Sequence, residues 1–185
     1  ELWRPLFYAV MRETPELRVR GEREWVVAES APRVDIEYPD FVALDVETTG
    51  LRPASNRVIE IGMIRYSAGE AVERFQTLFD PERKLPAYIS KLTGIRDADL
   101  RGADPFAARA GEIIEFLGDA LIVGHNVAFD INFVNAELRR AGRVPLVNDR
   151  VDTMALAMRY LPALQRASLD KVGNALGLAP RKIHR

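Results

Sequence analysis

The apolar residues in the middle of the chain fall into short, dense runs of the kind that forms strands. Three such runs are Phe41 to Val46, Arg57 to Tyr66 and Val72 to Phe79. The last two are separated only by Ser67-Ala68-Gly69, a small-residue segment typical of a turn. We therefore expect three neighbouring strands arranged as a meander.

The second half of the chain predicts helices that alternate with short strands. Apolar residues at helical spacing, or helix-start signals, mark four helices: Pro105 to Gly118, Val127 to Ala141, Asp152 to Tyr160 and Ser168 to Leu176. Short apolar segments between them, Leu121 to Val123 and one ending at Val151, predict strands. Strands followed by this alternation indicate an α/β fold, with a central mixed β-sheet flanked by helices.

Residues 1–39 predict a separate N-terminal extension and linker ahead of a main domain spanning residues 40–185. Apolar residues at helical spacing from Leu2 to Met11 predict a short helix, and Leu17 to Arg20 with Glu24 to Ala28 predict a hairpin. A helix and a hairpin in this order resemble the end of a winged-helix module. The alternative is an extension that packs on the main domain.

Composition narrows the class of protein. The chain has 185 residues, which fits one domain with a small appendage, and it has no cysteine, which excludes disulfides, thiolate nucleophiles and sulfur-ligated zinc. No apolar run approaches the roughly 20 residues of a membrane span, so we expect a cytoplasmic protein with no membrane partner. Because the chain begins with Glu1 rather than Met, we expect it to be a piece of a longer protein.

Net charge argues against general coating of nucleic acid, although the charge is unevenly distributed. The 26 basic and 27 acidic residues give a formal charge of −1, whereas proteins that coat nucleic acid are normally basic. Residues 135–185 nevertheless carry ten Lys or Arg against four acids. This segment can contact phosphates, or it can be an ordinary solvated surface.

Two acids interrupt the first predicted strand of the main domain. Asp45 and Glu47 lie two positions apart, so their side chains point to the same face, about 7 Å apart along the strand. Asp is unfavourable in strands, and an ionised acid in an apolar setting is costly unless a cation compensates it. No Lys or Arg lies within four residues of either acid. All-oxygen ligands favour magnesium or manganese; the alternative is a strand end that turns into solvent.

A third acid lies at the start of a predicted helix. Asn126 is a plausible N-cap, which places Asp130 near the end of the first turn, where the helix dipole favours a negative charge. Taken alone, Asp130 is better explained as a helix-start acid with no further role. Asp152 is interpreted as another N-cap. The position of His184 in the sequence gives that histidine no role by itself.

The segments Phe41 to Leu51 and Gly124 to Asp130 together resemble the first two motifs of the DnaQ-like DEDDh 3′–5′ exonuclease family. This family includes the epsilon subunit of bacterial DNA polymerase III and the exonuclease domain of PolC. Ile89 to Ile95 resembles the family's segment beside the terminal nucleotide, and the approach to His184 resembles that of the third motif. The motif's fourth acid would follow His184 by five residues, so the chain is expected to be truncated before it.

The resemblance implies an RNase H-like fold and removal of nucleotides from 3′ ends with two Mg²⁺ or Mn²⁺ ions. It implies that Asp45 bridges both metals, that Glu47 helps to hold the first and that Asp130 supports the second. His184 is then the catalytic residue that accepts the proton of the attacking water. The resemblance thus implies four catalytic residues, Asp45, Glu47, Asp130 and His184, of which the three acids also bind the metals.

The resemblance also suggests side chains that pack around the terminal nucleotide of the substrate. The candidates are Thr48, Thr49, Leu51, Leu92, His125 and Phe129, although Phe129 is better explained as core because it shares an apolar face with Phe133. The expected partners are the single-stranded 3′ end of DNA and a DNA polymerase or other replication protein. Two alternatives stay open: an RNA-trimming DEDDh exoribonuclease, and a catalytically silent adaptor of the same fold.

Overall fold

A computed structural model describes residues 17–20, 24–27, 39–161, 164 and 167–178. The described residues belong to two compact units. One holds the residues before position 38 together with those from Leu156 onward, and the other holds residues 39–155. None of the described helices is both long enough and apolar enough to cross a bilayer.

The N-terminal strands form an antiparallel pair. β1 is Leu17–Arg20 and β2 is Glu24–Val27, with Leu17 opposite Val27. This pairing confirms the two predicted hairpin strands. The predicted N-terminal helix and the linker lie outside the described residues, so the winged-helix interpretation stays a prediction.

A mixed five-stranded sheet forms the centre of the second unit. Its strands are β3 Phe41–Thr48, β4 Val58–Ser67, β5 Glu70–Leu78, β6 Leu121–Gly124 and β7 Arg150–Asp152. The order across the sheet is β5-β4-β3-β6-β7. The first three strands are antiparallel neighbours, whereas β6 runs parallel to β3 and β7 runs parallel to β6. The predicted meander and the predicted mixed sheet are both confirmed.

Helices follow or separate these strands. They are α1 Ala87–Thr93, α2 Asp97–Leu100, α3 Phe106–Leu117, α4 Val127–Arg140, α5 Thr153–Tyr160 and α6 Leu169–Ala175. The bounds of α3 to α6 agree with the predicted helices to within one residue. α1 and α2 were not predicted, because helices of seven and four residues are too short for apolar periodicity to show.

The main core lies on one face of β3. Val42, Leu44 and Val46 are buried there against apolar side chains of α3 and α4. A second, smaller cluster joins Ile59 to the short helices α1 and α2, through Leu85, Ile89, Ile95 and Leu100. Because strand side chains alternate, burying the even positions of β3 turns its odd positions, including both acids, away from the main core.

Candidate active site

The two acids of β3 occupy the face of the strand opposite the main core. Asp45 is exposed and Glu47 is half-buried, while their neighbours Leu44 and Val46 are buried. The expectation that the acids sit in an apolar pocket is therefore wrong for Asp45. The apolar residues around it in the sequence serve the other face of the sheet, which a reading of the sequence as one continuous apolar run does not separate.

Asp130 reaches β3 from the first turn of α4. Its carboxylate Oδ1 accepts a hydrogen bond from the Val46 backbone N–H at 3.0 Å, and the residue is only 4% exposed. β6 pairs with β3 only as far as Ala43, so Val46 lies beyond the paired segment. The carboxylate bonds a backbone group on a stretch of β3 that β6 does not reach, between the two acids of the strand.

The short junction between β6 and α4 places Asp130 within hydrogen-bond distance of β3. A Cβ at Gly124 would lie 3.0 Å from the Leu44 carbonyl oxygen and 2.9 Å from the Val127 side chain, so only glycine fits without movement. Asn126 follows in the left-handed region with φ 62° and ψ 41°, which Asn tolerates better than most residues. It stands at the predicted N-cap position but makes no side-chain capping hydrogen bond.

The electrostatics of Asp130 reflect this placement. Burial raises the pKa of its carboxyl to about 7, and the negative charge of Asp45 acts in the same direction, as that of Glu47 does more weakly. Hydrogen bonds from the backbone N–H groups of Val46 and of Asp130 itself lower the pKa in part. A cation between the acids would favour the ionised form, because opposite charge stabilises a carboxylate.

The described acids do not form a complete metal cage by themselves. Within the described part of the chain, no three histidine, cysteine or acidic side chains are grouped so as to hold a metal. The chemistry of the donors nevertheless fits magnesium or manganese, which use one or two carboxylates and complete their coordination with water and substrate phosphate. Asp45, Glu47 and Asp130 supply carboxylates of this type. His184 lies outside the described residues, so its role stays a prediction.

Residues of β4 complete the face around the two acids. Gly62 lies opposite Asp45, and Glu60 lies opposite Glu47. The Gln76 amide Nε2 donates to Glu60 Oε1 at 2.7 Å. Sequence reasoning missed Glu60, although an acid between Ile59 and Ile61 was a visible signal; only the strand register shows that it lies beside Glu47.

The predicted substrate residues after β3 divide into two groups. Thr48 and Thr49 are buried, and their hydroxyls serve the turn: Thr48 donates to the Gly50 carbonyl at 2.7 Å, and Thr49 accepts from the Arg57 backbone N–H at 3.0 Å. Leu51 is 80% exposed and Leu92 on α1 is 71% exposed. The leucines are thus available for contact with a ligand, whereas the threonine side chains are engaged within the protein.

Of the two remaining candidates, His125 has a ring nitrogen without a partner among the described residues, whereas Phe129 belongs to the core. The Thr153 hydroxyl donates to the Gly124 carbonyl at 3.1 Å, so His125 Nδ1, 3.1 Å from that hydroxyl, is the donor in their contact. This tautomer leaves Nε2 as an acceptor that is buried and has no hydrogen-bond partner among the described residues. Phe129 packs against the core with its ring centroid 4.8 Å from that of Phe133, as the core interpretation predicts.

Asp152 has the structural role that the sequence suggested. Its Oδ1 accepts from the Met154 backbone N–H at 2.9 Å, in the manner of an N-cap at the start of α5. The same oxygen accepts from the Asn126 backbone N–H at 2.9 Å. Asp152 therefore ties the start of α5 to the turn before α4.

A buried ion pair fixes the loop that follows β3. Glu137 on α4 is 1% exposed, and its carboxylate accepts from Arg57 Nε at 2.9 Å and from the Val58 backbone N–H at 3.1 Å. Arg140 Nη1 lies 3.1 Å from the same carboxylate, and its Nη2 donates to the Pro53 carbonyl. Sequence reasoning missed this network, since nothing in the sequence pairs residues 80 positions apart.

Comparison with known proteins assigns the chain to a family. Residues 42–185 match the sequence profile of the exonuclease family that bears the name RNase T. A PolC-type DNA polymerase III of Thermotoga maritima is 33% identical over 98% of this chain, but the chain spans only 14% of that protein. The DNA polymerase III epsilon subunit of Treponema pallidum is 35% identical over 80% of this chain and 70% of its own length.

A solved structure supports the fold independently. The zinc-bound complex of Escherichia coli exonuclease I with single-stranded DNA superposes with a TM-score of 0.69, over 79% of this chain and 37% of that one, at 23% identity. At this level of identity the likeness speaks for the fold, and it confirms the predicted RNase H-like architecture.

Proposed function

Since the chain belongs to the RNase T exonuclease family, we propose that its main domain removes nucleotides one at a time from the 3′ end of single-stranded DNA. The cofactors in this proposal are two divalent ions, magnesium or manganese. The single observation that carries it is the hydrogen bond from Val46 N–H to Asp130 at 3.0 Å. It joins the two acidic motifs, which lie more than 80 residues apart in the sequence, at one point of the sheet.

In this proposal the three acids share the task of holding the metal ions. Asp45 and Glu47 project from one face of β3, and burial, together with the charge of Asp45, raises the pKa of the Asp130 carboxyl. Bound ions of this type polarise the scissile phosphate, activate water and stabilise the leaving oxygen. His184 is the proposed proton acceptor, because an imidazole with an ordinary pKa near 6.5 changes charge close to neutral pH.

The exposed leucines are the proposed contacts to the terminal base and sugar. Leu51 follows the catalytic strand directly, and Leu92 lies in the segment that resembles the family's terminal-nucleotide motif. His125 stays in the proposal as a residue near the terminal nucleotide, with its Nε2 buried in the free protein. Thr48 and Thr49 would contribute through their backbone, and Phe129 through the packing that holds α4 in place.

The biological setting in the proposal is proofreading in DNA replication or repair, in the cytoplasm and together with a DNA polymerase. The support is kinship with polymerase III components: the PolC-type enzyme of Thermotoga maritima and the epsilon subunit of Treponema pallidum. The chain spans about one seventh of the PolC-type relative. The activity of any larger assembly is accordingly part of the proposal.

The test compares the purified full-length protein with its Asp45→Asn and Asp130→Asn variants on an oligonucleotide labelled at its 5′ or 3′ end. Asn keeps the size of the side chain, and at position 130 its Oδ1 can still accept from Val46, so the fold should persist. We expect release of mononucleotides from the 3′ end only with Mg²⁺ or Mn²⁺ present. Each variant should lose about 100- to 1,000-fold in rate, as when charge stabilisation of a transition state is removed.

Asp119→Asn is the matched control, since Asp119 is exposed and precedes β6, at the end of that strand remote from Gly124. It should be as active as the unchanged protein. Full activity in Asp45→Asn or Asp130→Asn would contradict the site. Faster turnover of a matched RNA strand would identify an exoribonuclease instead, and binding of DNA without any hydrolysis would identify an adaptor.

A further inference from the structure

Gly62 has no side chain and belongs to the row of β4 residues on the same face of the sheet as Asp45 and Glu47. The row runs Glu60, Gly62, Ile64, and the register sets these three opposite Glu47, Asp45 and Ala43. Side chains directly opposite each other on antiparallel strands have Cβ atoms about 4.5–5.5 Å apart. A side chain at position 62 would therefore extend beside the carboxylate of Asp45.

The local structure gives no reason for glycine at this position. No heavy atom of the described residues lies within 4 Å of the place a Cβ would take at Gly62. Gly62 is not among the glycines with positive φ, so an L-residue meets no backbone strain there. Glycine inside a strand is unfavourable compared with alanine, since it loses more conformational freedom on folding. Stability alone would favour a larger residue.

The neighbouring strand leaves the same space open. Gln76 of β5 lies directly across from Gly62, on the side away from Asp45. Its amide Nε2 donates to Glu60 Oε1 at 2.7 Å, so the side chain turns along the sheet toward Glu60 instead of covering Gly62. Among the described residues, no side chain covers the glycine, which lies next to exposed Asp45.

We propose that Gly62 is a positioning residue, which keeps the space beside Asp45 free for the metal-bound phosphate at the 3′ end of the substrate. This inference rests on the proposed function. A methyl group at position 62 would displace that phosphate relative to Asp45 while leaving the acids themselves unchanged. A misplacement of about 1 Å at a reacting centre costs about 100-fold in rate.

The experiment uses Gly62→Ala and Gly62→Val, with Gly111→Ala as the matched control. Gly111 is an exposed residue inside α3 with the same free space around its Cβ position. The readouts are the Tm in EDTA, the affinity for dTMP with Mn²⁺ measured by calorimetry, and kcat/KM on a single-stranded oligonucleotide.

We expect Gly62→Ala to raise the Tm by about 2 °C, as alanine replaces glycine in an ordered element. At the same time its dTMP affinity should fall about 10-fold and its kcat/KM about 100-fold, with larger losses for Gly62→Val. Gly111→Ala should raise the Tm similarly and leave both functional readouts unchanged.

Two results would overturn the inference while the proposed function stands. One is a stable Gly62→Ala variant with full dTMP affinity and full kcat/KM; the other is a lowered Tm that accounts for the loss of activity. If the full-length protein with no substitution shows no metal-dependent hydrolysis at all, the proposed function fails and this inference fails with it.

Discussion

Helix α4 buries two acids whose surroundings are opposite in kind. Asp130 and Glu137 are 4% and 1% exposed and lie seven residues apart, which places them on the same side of the helix about two turns from each other. Glu137 is met by the guanidinium groups of Arg57 and Arg140. The charges that act on Asp130 are those of two further acids, Asp45 and Glu47.

The difference shows that burial alone does not distinguish an acid with a structural role from one proposed to hold a metal ion. Glu137 has its counter-charge built into the protein, and its bonds to Arg57 and Val58 hold the start of β4 and the loop before it. Asp130 carries an electrostatic cost that a cation from solution can relieve. The two acids should therefore respond in opposite ways to substitution, pH and metal ions.

The largest effect on stability should come from removing Glu137, the acid that is paired with two arginines. Glu137→Ala leaves Arg57, which is only 15% exposed, and the Val58 N–H without their acceptor. Breaking a buried ion pair in this way costs about 3–5 kcal/mol, so we expect the Tm to fall by roughly 10 °C. Thermal unfolding followed by circular dichroism measures this.

The control for that change is Glu115→Ala, at an exposed position of α3, which should alter stability by less than about 0.5 kcal/mol. Equal effects of the two substitutions would show that the Arg57–Glu137 network contributes little. Glu137 would then not differ from Asp130 by stabilising the fold.

The next effect concerns pH, and its sign follows from the raised pKa of Asp130. The folded protein binds a proton at this group up to about pH 7, whereas the unfolded chain releases it near pH 3.8. In EDTA, the contribution to stability is thus complete below about pH 4 and is lost as the pH rises through 7. The loss amounts to as much as about 4 kcal/mol at 1.36 kcal/mol per pKa unit.

Chemical denaturation in EDTA between pH 4 and pH 8 measures this slope, which Asp130→Asn should flatten. At pH 8, Mn²⁺ at 100 times its Kd should restore about 2.7 kcal/mol to the unchanged protein and less to Asp130→Asn, which loses a ligand of the second ion. The same slope in both proteins would rule out Asp130 as its source.

The smallest effect on stability should come from Glu82, the exposed acid that also pairs with Arg57. Glu82 also bonds Arg57, with Oε2 2.9 Å from Nη1, but its side chain is 64% exposed. Such pairs contribute about 0–1 kcal/mol, so Glu82→Gln should barely change the Tm and should not affect activity. A loss comparable to that of Glu137→Ala would mean that exposure does not set the strength of these pairs.

Much of the fold could be predicted from the sequence, because periodicity reports which side of an element is buried. The strands around Ala43, Ile64 and Phe75 and the helices from Phe106 onward follow from that signal. The short helix α1 does not, since it is held by Ile89 in a small cluster with Ile59, a contact between distant positions. At seven residues it is also too short for apolar periodicity alone to identify a helix.

The candidate site was predictable in its members but not in its arrangement. Asp45, Glu47 and Asp130 stand out as acids among apolar residues, and the resemblance to the exonuclease family joins them. The exposure of Asp45 depends on which face of β3 the core occupies, and the neighbours Glu60 and Gly62 depend on strand register. Neither property is a local feature of the chain.

The contact at Gly124 has a consequence for anyone who would redesign this protein. With the Leu44 carbonyl oxygen 3.0 Å from where a Cβ would lie at position 124, the spacing between the two acidic motifs is too close to admit a side chain at that position. Rotamer choice cannot tune it. A change in the distance between the two acidic motifs therefore requires a different backbone path between β6 and α4, and exchange of other side chains would not provide it.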